Sequence, residues 1–379
     1  MLENFHKENK DQINREKSGD IFGIKKINNF LLSFSRVPLR ERLFFTQYLD
    51  LMLRSGISLF EAVEVLSKQT PNKNFAKILL EVSANINRGV SFTESLRPHE
   101  KVFGELYINM IEAGESSGRL EDVLLNLYFQ MKKQHWLNSK VKGALIYPIV
   151  ILSAILIVGL FMAIMVLPEL LNILKSYDIE MPLLTKVFIA ASEFVLYNGF
   201  LSLIAFALLT GLIIQAFRIK KSRFYLQGFF LKLPVISPII KKINLARFSR
   251  TISILLKTDI MIVKTFKITA NTLGNLHYQK AVFEISENLK KGVYLNEVVL
   301  KYPDLFSPAV AQMIMVGEKT GELDNVLSEL ADFYENEVDQ TMENLPSIIE
   351  PVLIVFLGLM VGVIAIAIML PYYTLISSF

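Results

Sequence analysis

The sequence predicts an all-α polytopic membrane protein, with three transmembrane helices and two homologous cytoplasmic bundles of about six helices each. Three observations carry this reading. Hydrophobic residues make up 52% of 379 residues and the mean hydropathy is +0.40, more apolar than soluble domains usually run. Three charge-free stretches are each long enough to cross a bilayer. Landmark residues also recur at a single offset of 203 positions.

Residues 1–40 are polar and carry both signs of charge (Lys7, Glu8, Lys10, Asp11). With no apolar core and no small-residue cleavage site, this segment does not read as a secretory signal. It is expected to stay in the cytoplasm, with its first 20 residues loose. Residues 41–143 read as the first cytoplasmic helical domain. Leu49, Met52 and Leu53, then Leu59, Val63 and Leu66, recur at helical spacing. Arg54-Ser55-Gly56 breaks the pattern as a turn, and Ser58 is placed to cap the next helix. Asn74 to Asn87 is a further amphipathic segment ended by Gly89. Ser91 with Glu94 forms a capping-box pattern, and Phe103–Glu115 and Leu120–Val141 are the last two helices. No alternating run reads as a strand.

The spans follow at 144–167, 194–217 and 348–371, separated by an external connection at 168–193 and ending in an external segment at 372–379. A 24-residue helix reaches about 36 Å, more than the roughly 30 Å hydrocarbon core. Lys132, Lys133, Lys140 and Lys142 precede the first span, whereas the 168–193 connection is net acidic. From Arg218 to Thr258 there are ten Lys or Arg and no Asp or Glu. The bias places the N-terminus and residues 218–347 inside and the C-terminus outside. The basic block admits two readings, nucleic-acid binding and attraction to anionic headgroups. The adjoining span and the amphipathic run Phe224–Leu233 favour the membrane surface, without direct nucleic-acid binding.

The repeat is read without a gap. Phe45 falls on Phe248, Gly89 on Gly292, Phe103 on Phe306, Gly114-Glu115 on Gly317-Glu318, Gly118 on Gly321, and Leu120 on Leu323. Pro148, where the first span begins, falls on Pro351, and Pro168 falls on Pro371. Composition alone predicts about one Gly or Pro coincidence or fewer over such a window. Each copy is thus a cytoplasmic domain fused to a membrane helix, and the unpaired middle span returns the chain to the inner side.

Chemistry is sparse. There is no cysteine, and His6, His99, His135 and His277 lack the spacing of a helical metal pair, so no metal or cofactor site is expected. Gly114-Glu115-Ser116-Ser117-Gly118-Arg119-Leu120 and Gly317-Glu318-Lys319-Thr320-Gly321-Glu322-Leu323 are glycine-rich, but they lack the spacing and the Lys-Ser/Thr of a phosphate loop. They read as helix connections that could also touch a partner. Glu115 and Glu318 have no His or second acid placed to make a catalytic pair, so each reads as a cap or a surface ion pair. Phe333, Tyr334 and Trp136 read as core or interface anchors. Gly358 and Gly362 form G-x-x-x-G in the third span, and Gly159 and Ala163 form a small-xxx-small pair in the first, as expected at helix contacts.

These residues resemble a family. Phe45-Thr46-Gln47 leading to Arg54-Ser55-Gly56-Ile57-Ser58-Leu59, the two Gly-Glu-x-x-Gly-x-Leu elements, Tyr147-Pro148, Leu233-Pro234-Val235, Ala246-Arg247-Phe248-Ser249-Arg250-Thr251 and Glu350-Pro351 are similar to the pattern of the type II secretion system F family. The likeness covers residues 37–376. Two positions depart from it. Asp259 stands where glycine is usual, so a different turn is expected there, and Ser237 stands where glycine often follows Leu-Pro. The resemblance implies a non-enzymatic inner-membrane platform of type II secretion, type IV pilus or competence-pilus machines. It implies contacts with a hexameric assembly ATPase (a retraction ATPase being a further candidate), with pilin or pseudopilin subunits and other inner-membrane assembly proteins, and with further copies of the chain.

A transporter or permease subunit is the alternative reading. It predicts mid-membrane charges and an inverted repeat, neither of which the sequence shows. A membrane-anchored signalling enzyme would need a nucleotide or catalytic motif. For the platform, reversing charge at Glu115 and Glu318 together is expected to weaken ATPase docking and leave insertion intact.

Overall fold

Helix boundaries in the computed structural model repeat with the offset of the sequence landmarks. The structure describes residues 37–162, 165 and 198–377. Most of the polar N-terminal segment, the 168–193 connection, Ala163 and the last two residues lie outside the described residues.

The first module comprises α1 (Leu39–Arg54), α2 (Leu59–Gln69), α3 (Lys73–Asn87), α4 (Phe92–Leu96), a 3₁₀ turn (Arg97–His99), α5 (Glu100–Phe103), α6 (Glu105–Ser116) and α7 (Leu120–Phe161). Then come α8 (Gly199–Arg218) and α9 (Lys220–Phe230). The second module comprises α10 (Ile236–Lys257), α11 (Ile262–Thr272), α12 (Leu276–Leu289), α13 (Leu295–Val299), α14 (Pro308–Thr320) and α15 (Leu323–Ser377). Adding 203 to the start of α2, α3, α4, α6 or α7 gives the start of α11, α12, α13, α14 or α15. Among the described residues every regular element is helical.

Local chemistry accounts for the starts. Ser58 accepts from the Glu61 amide at 3.3 Å, and Asn72 and Asn275 cap α3 and α12 with their side-chain oxygens. Ser91 accepts from the Glu94 amide at 3.2 Å, but the Glu94 carboxylate turns to Arg97 Nε at 2.6 Å, so only half of the capping box is present. The turn after α10 corrects an expectation. Asp259 keeps the left-handed backbone of its counterpart Gly56, with φ of 57° against 82°. Asp is among the residues that tolerate this region, because its short polar side chain can bond locally.

Each core is built on the same aromatic triangle. Phe45, Phe75 and Phe103 meet at centroid distances of 5.6–6.1 Å, and their counterparts Phe248, Tyr278 and Phe306 meet at 5.2 Å (Phe248–Phe306) and 5.7 Å (Tyr278–Phe306). The added hydroxyl of Tyr278 is satisfied inside the core by the Leu305 carbonyl at 2.6 Å. Leu255, Ile260 and Ile268 of the second module are buried in the first module's core cluster, so the two bundles share apolar contact. Trp136 packs at the seam between the modules, Tyr334 is buried, and Phe333 is exposed, so of the two readings, core or interface, Phe333 does not take the core one.

The two long helices run from bundle to span without a break. α7 has 42 residues and continues through Pro148, and α15 has 55 and continues through Pro351. Parts of both, Leu120–Gly159 and Leu323–Gly362, are long and apolar enough to cross a membrane. α8, 20 residues long, covers the expected second span from Gly199 to its end at 217.

Candidate functional site

In the paired Gly-Glu-x-x-Gly-x-Leu elements each residue type has a separate geometric cause. A Cβ on Gly114 would lie 2.9 Å from Val123 Cβ, and one on Gly317 would lie 3.0 Å from Leu323 Cα. The first glycine therefore lets the penultimate helix close onto the long one. The second glycine, Gly118 or Gly321, takes φ of 67° or 77°, which reverses the chain. The leucine, Leu120 or Leu323, opens the long helix.

The glutamate reaches back 22–23 residues. Glu115 Oε1 accepts from the Phe92 amide at 2.7 Å, and Oε2 accepts from the Thr93 amide at 2.9 Å and the Thr93 hydroxyl at 2.6 Å. Glu318 repeats this with the Leu295 amide at 2.7 Å and the Asn296 amide at 3.2 Å. Each carboxylate thus closes the amino end of a five-residue helix, where free amides and the backbone dipole favour negative charge. Ser116, Ser117, Gly118 and Arg119, and Lys319, Thr320, Gly321 and Glu322, are exposed. Arg119 Nε lies 3.5 Å from Asp122, a loose surface pair.

The seam between modules is the second feature. α7 and α15 lie side by side in parallel register, and α10 packs on both. Lys140 bridges Asp339 and also Glu343 at 3.2 Å, and Lys140 and Glu343 occupy the same position in the two copies. Glu335, whose side chain is 3% exposed, accepts from Lys133 at 2.7 Å and from both Arg250 Nε and Nη2 at 2.9 and 3.0 Å. Asp332 completes the cluster through Arg250. Lys242 pairs with Glu337 at 2.7 Å. Sequence reasoning missed this network, although the basic run before the first span and the acidic run Glu329–Glu343 before the third were visible.

Within the membrane stretch, a Cβ on Gly159 would come 3.9 Å from Met360. Among the described residues nothing lies within 4 Å of a Cβ at Gly358 or Gly362. α9 begins two residues after α8 ends. Its inner face is tied down by Arg223 and Gln227 to the Gly274 carbonyl at 2.8 and 3.3 Å. Its outer stripe is Lys221, Tyr225 and Phe229, all exposed, and the exposed Lys232 follows just past its end. Among the described residues no three His, Asp or Glu side chains gather as a metal site would need.

Known proteins give the same division of the chain. The family model described as "Type II secretion system (T2SS), protein F" matches residues 45–168 and again 248–371, two segments 203 apart. A "Type IV pilus assembly protein PilC" of Thermus thermophilus is 34% identical, over 96% of this chain and 91% of its own length. A protein of the same name from Pseudomonas aeruginosa is 31% identical over 87% and 88%. The "Type II secretion system protein F" of that organism is 28% identical over 91% and 85%. With both copies matched and relatives aligned across nearly the whole chain, the chain belongs to the type II secretion system protein F family.

Proposed function

We propose that this chain is the inner-membrane platform of a type IV pilus-like or type II secretion machine, joining a cytoplasmic assembly ATPase to the addition of pilin or pseudopilin subunits. The relatives are named for pilus assembly and for type II secretion, and the two matched modules make this chain an assembly component rather than a transporter. One observation supports the coupling above all. α7 and α15 are each continuous from a packed bundle, where Leu127 and Leu327 are buried, into the apolar stretch. A displacement of either bundle is carried into the membrane by a single helix, with no loop to absorb it. The parallel register of the two helices also fits two like halves on one side of the membrane and not an inverted repeat.

In this reading three spans place residues 41–143 and 218–347 in the cytoplasm and the C-terminus outside. The exposed ends of the paired loops, Arg119 and Glu322, face the ATPase, and the chain acts without catalysis of its own. Glu115 and Glu318 hold the loops in shape, so their charge reversal would unfold the loop as well as disturb docking. The docking test therefore uses Arg119 and Glu322.

The natural sequence has no cysteine, so Arg119→Cys and Glu322→Cys each give a single thiol. Both thiols are expected to resist a membrane-impermeant maleimide in intact cells and to react in inverted vesicles. Both are also expected to cross-link to the assembly ATPase. Reaction of the two thiols from opposite faces would overturn the topology. Failure of either to cross-link, with pili or secretion still lost when the gene is deleted, would overturn the docking site alone.

A further inference from the structure

We propose that a small oxyanion of the phosphate class binds between the two modules, held by Arg42 of the first and Arg247 of the second. A cavity of about 250 Å³ lies at their junction. Its wall includes Arg42 on α1, Gln130 and Lys133 on α7, Arg247 and Arg250 on α10, and Glu335 on α15. Two of the four cations are already matched, since Lys133 and Arg250 both bond Glu335. Arg42 and Arg247 are not. Neither has a carboxylate partner among the described residues.

Their hydrogen bonds leave the buried Nε of each without an acceptor. Arg42 Nη1 donates to the Val102 and Phe103 carbonyls at 2.7 and 3.3 Å, and Arg247 Nη2 donates to Asn138 Oδ1 at 2.9 Å. Nε of both arginines is buried from solvent and unpartnered. Gln130 Oε1, on the same wall, is also buried and unpartnered, although its amide nitrogen bonds Thr251 at 3.3 Å. Burial lowers the pKa of both arginines from the usual value, yet a guanidinium stays charged in a protein. Two half-buried cations with no carboxylate in reach suit an anion, and guanidinium forks match a phosphate oxygen pair. Such an anion would tie α1 to α10 across the junction. It has two sources of the same chemistry, free phosphate and an anionic lipid headgroup.

The experiment uses the full chain in a neutral detergent and inorganic phosphate as the probe. Phosphate is expected to raise the midpoint of thermal unfolding saturably, by about 3 °C or more, over chloride at equal ionic strength. Arg42→Gln and Arg247→Gln are expected to abolish that rise. Without phosphate the same variants are expected to melt at or above the natural protein, because each removes a half-buried charge that has no carboxylate partner. If the arginines served only their present acceptors, the Val102 and Phe103 carbonyls for Arg42 and Asn138 for Arg247, both variants would melt lower in either buffer, and the proposal would fail. Reconstitution in phosphatidylcholine with and without phosphatidylglycerol, free of phosphate, separates the sources. Protection by phosphatidylglycerol that is lost in both variants assigns the site to a headgroup, and protection by phosphate alone assigns it to the free anion. If the variants do not fold, the natural protein decides. The absence of a saturable phosphate-specific shift, in melting and in ³¹P line width, overturns the site.

Discussion

The basic first long helix and the acidic second long helix are copies of one element that have diverged where they touch. Before its span α7 carries Lys132, Lys133, Lys140 and Lys142, whereas α15 carries Glu329, Asp332, Glu335, Glu337, Asp339 and Glu343. Parallel packing in register sets equivalent positions against each other, so unchanged copies would oppose like charges along the seam. Lys140 facing Glu343 shows the solution: one copy changed sign. The cores did not diverge in this way, because an aromatic triangle facing inward meets no sister residue. Duplication thus conserved what each module needs alone and altered what the modules need together.

The strongest way to break this comparison is to restore the sign of the first copy in the second. Glu335→Lys removes the acceptor of Arg250 and Lys133 and puts a third cation beside them at a buried position, which is expected to destabilise by about 3–5 kcal/mol. The readout is loss of a folded, monodisperse peak in detergent, and a natural melting profile would show that the seam does not hold the modules. Next come the paired loops. Glu115→Ala and Glu318→Ala each strip charge-assisted bonds from a helix start, worth about 2 kcal/mol. Because Ser91 also caps α4 whereas Tyr294 gives α13 no side-chain cap, Glu318→Ala is expected to free the amides of its short helix more completely. Hydrogen exchange at residues 92–96 and 295–299 measures that difference.

A smaller effect of opposite sign is expected at the turn where the copies differ. Asp259→Gly gives the second module the residue of the first at a left-handed position, stabilising it by about 0.5 kcal/mol in a denaturant titration. Loss of stability would mean that the Asp side chain holds this turn. The smallest effect belongs to the exposed pair. Lys140→Glu or Glu343→Lys alone should lower the melting point slightly, and the two together should restore it, because the pair is screened by water. Failure of the double swap to recover would show that Lys140 acts mainly through Asp339.

The spacing of apolar residues, the turn signals and the 203-residue offset decided most of the architecture, since these are local or self-comparing properties. Helix starts at Leu59, Leu120 and Leu323 and the cap at Ser58 follow from neighbours within a few residues. The ending of the glutamate side chains could not be read in this way. Glu115 bonds amides 22 and 23 residues upstream, and no periodicity indicates which distant helix start an acid will reach. The capping box at Ser91 was legible only in part, because Arg97 drew Glu94 away and Glu115 covered the end instead.

The sequence by itself determined an all-helical chain made of two like modules, each run into an apolar helix, because hydrophobic period and span length are written along the chain. The tertiary structure decided which charges meet: Lys140 with Glu343, Arg250 with Glu335, and Arg42 and Arg247 with no acid at all. Those contacts depend on how helices from 85 to 203 residues apart lie against each other, and chain-local physics carries no record of how such distant segments meet.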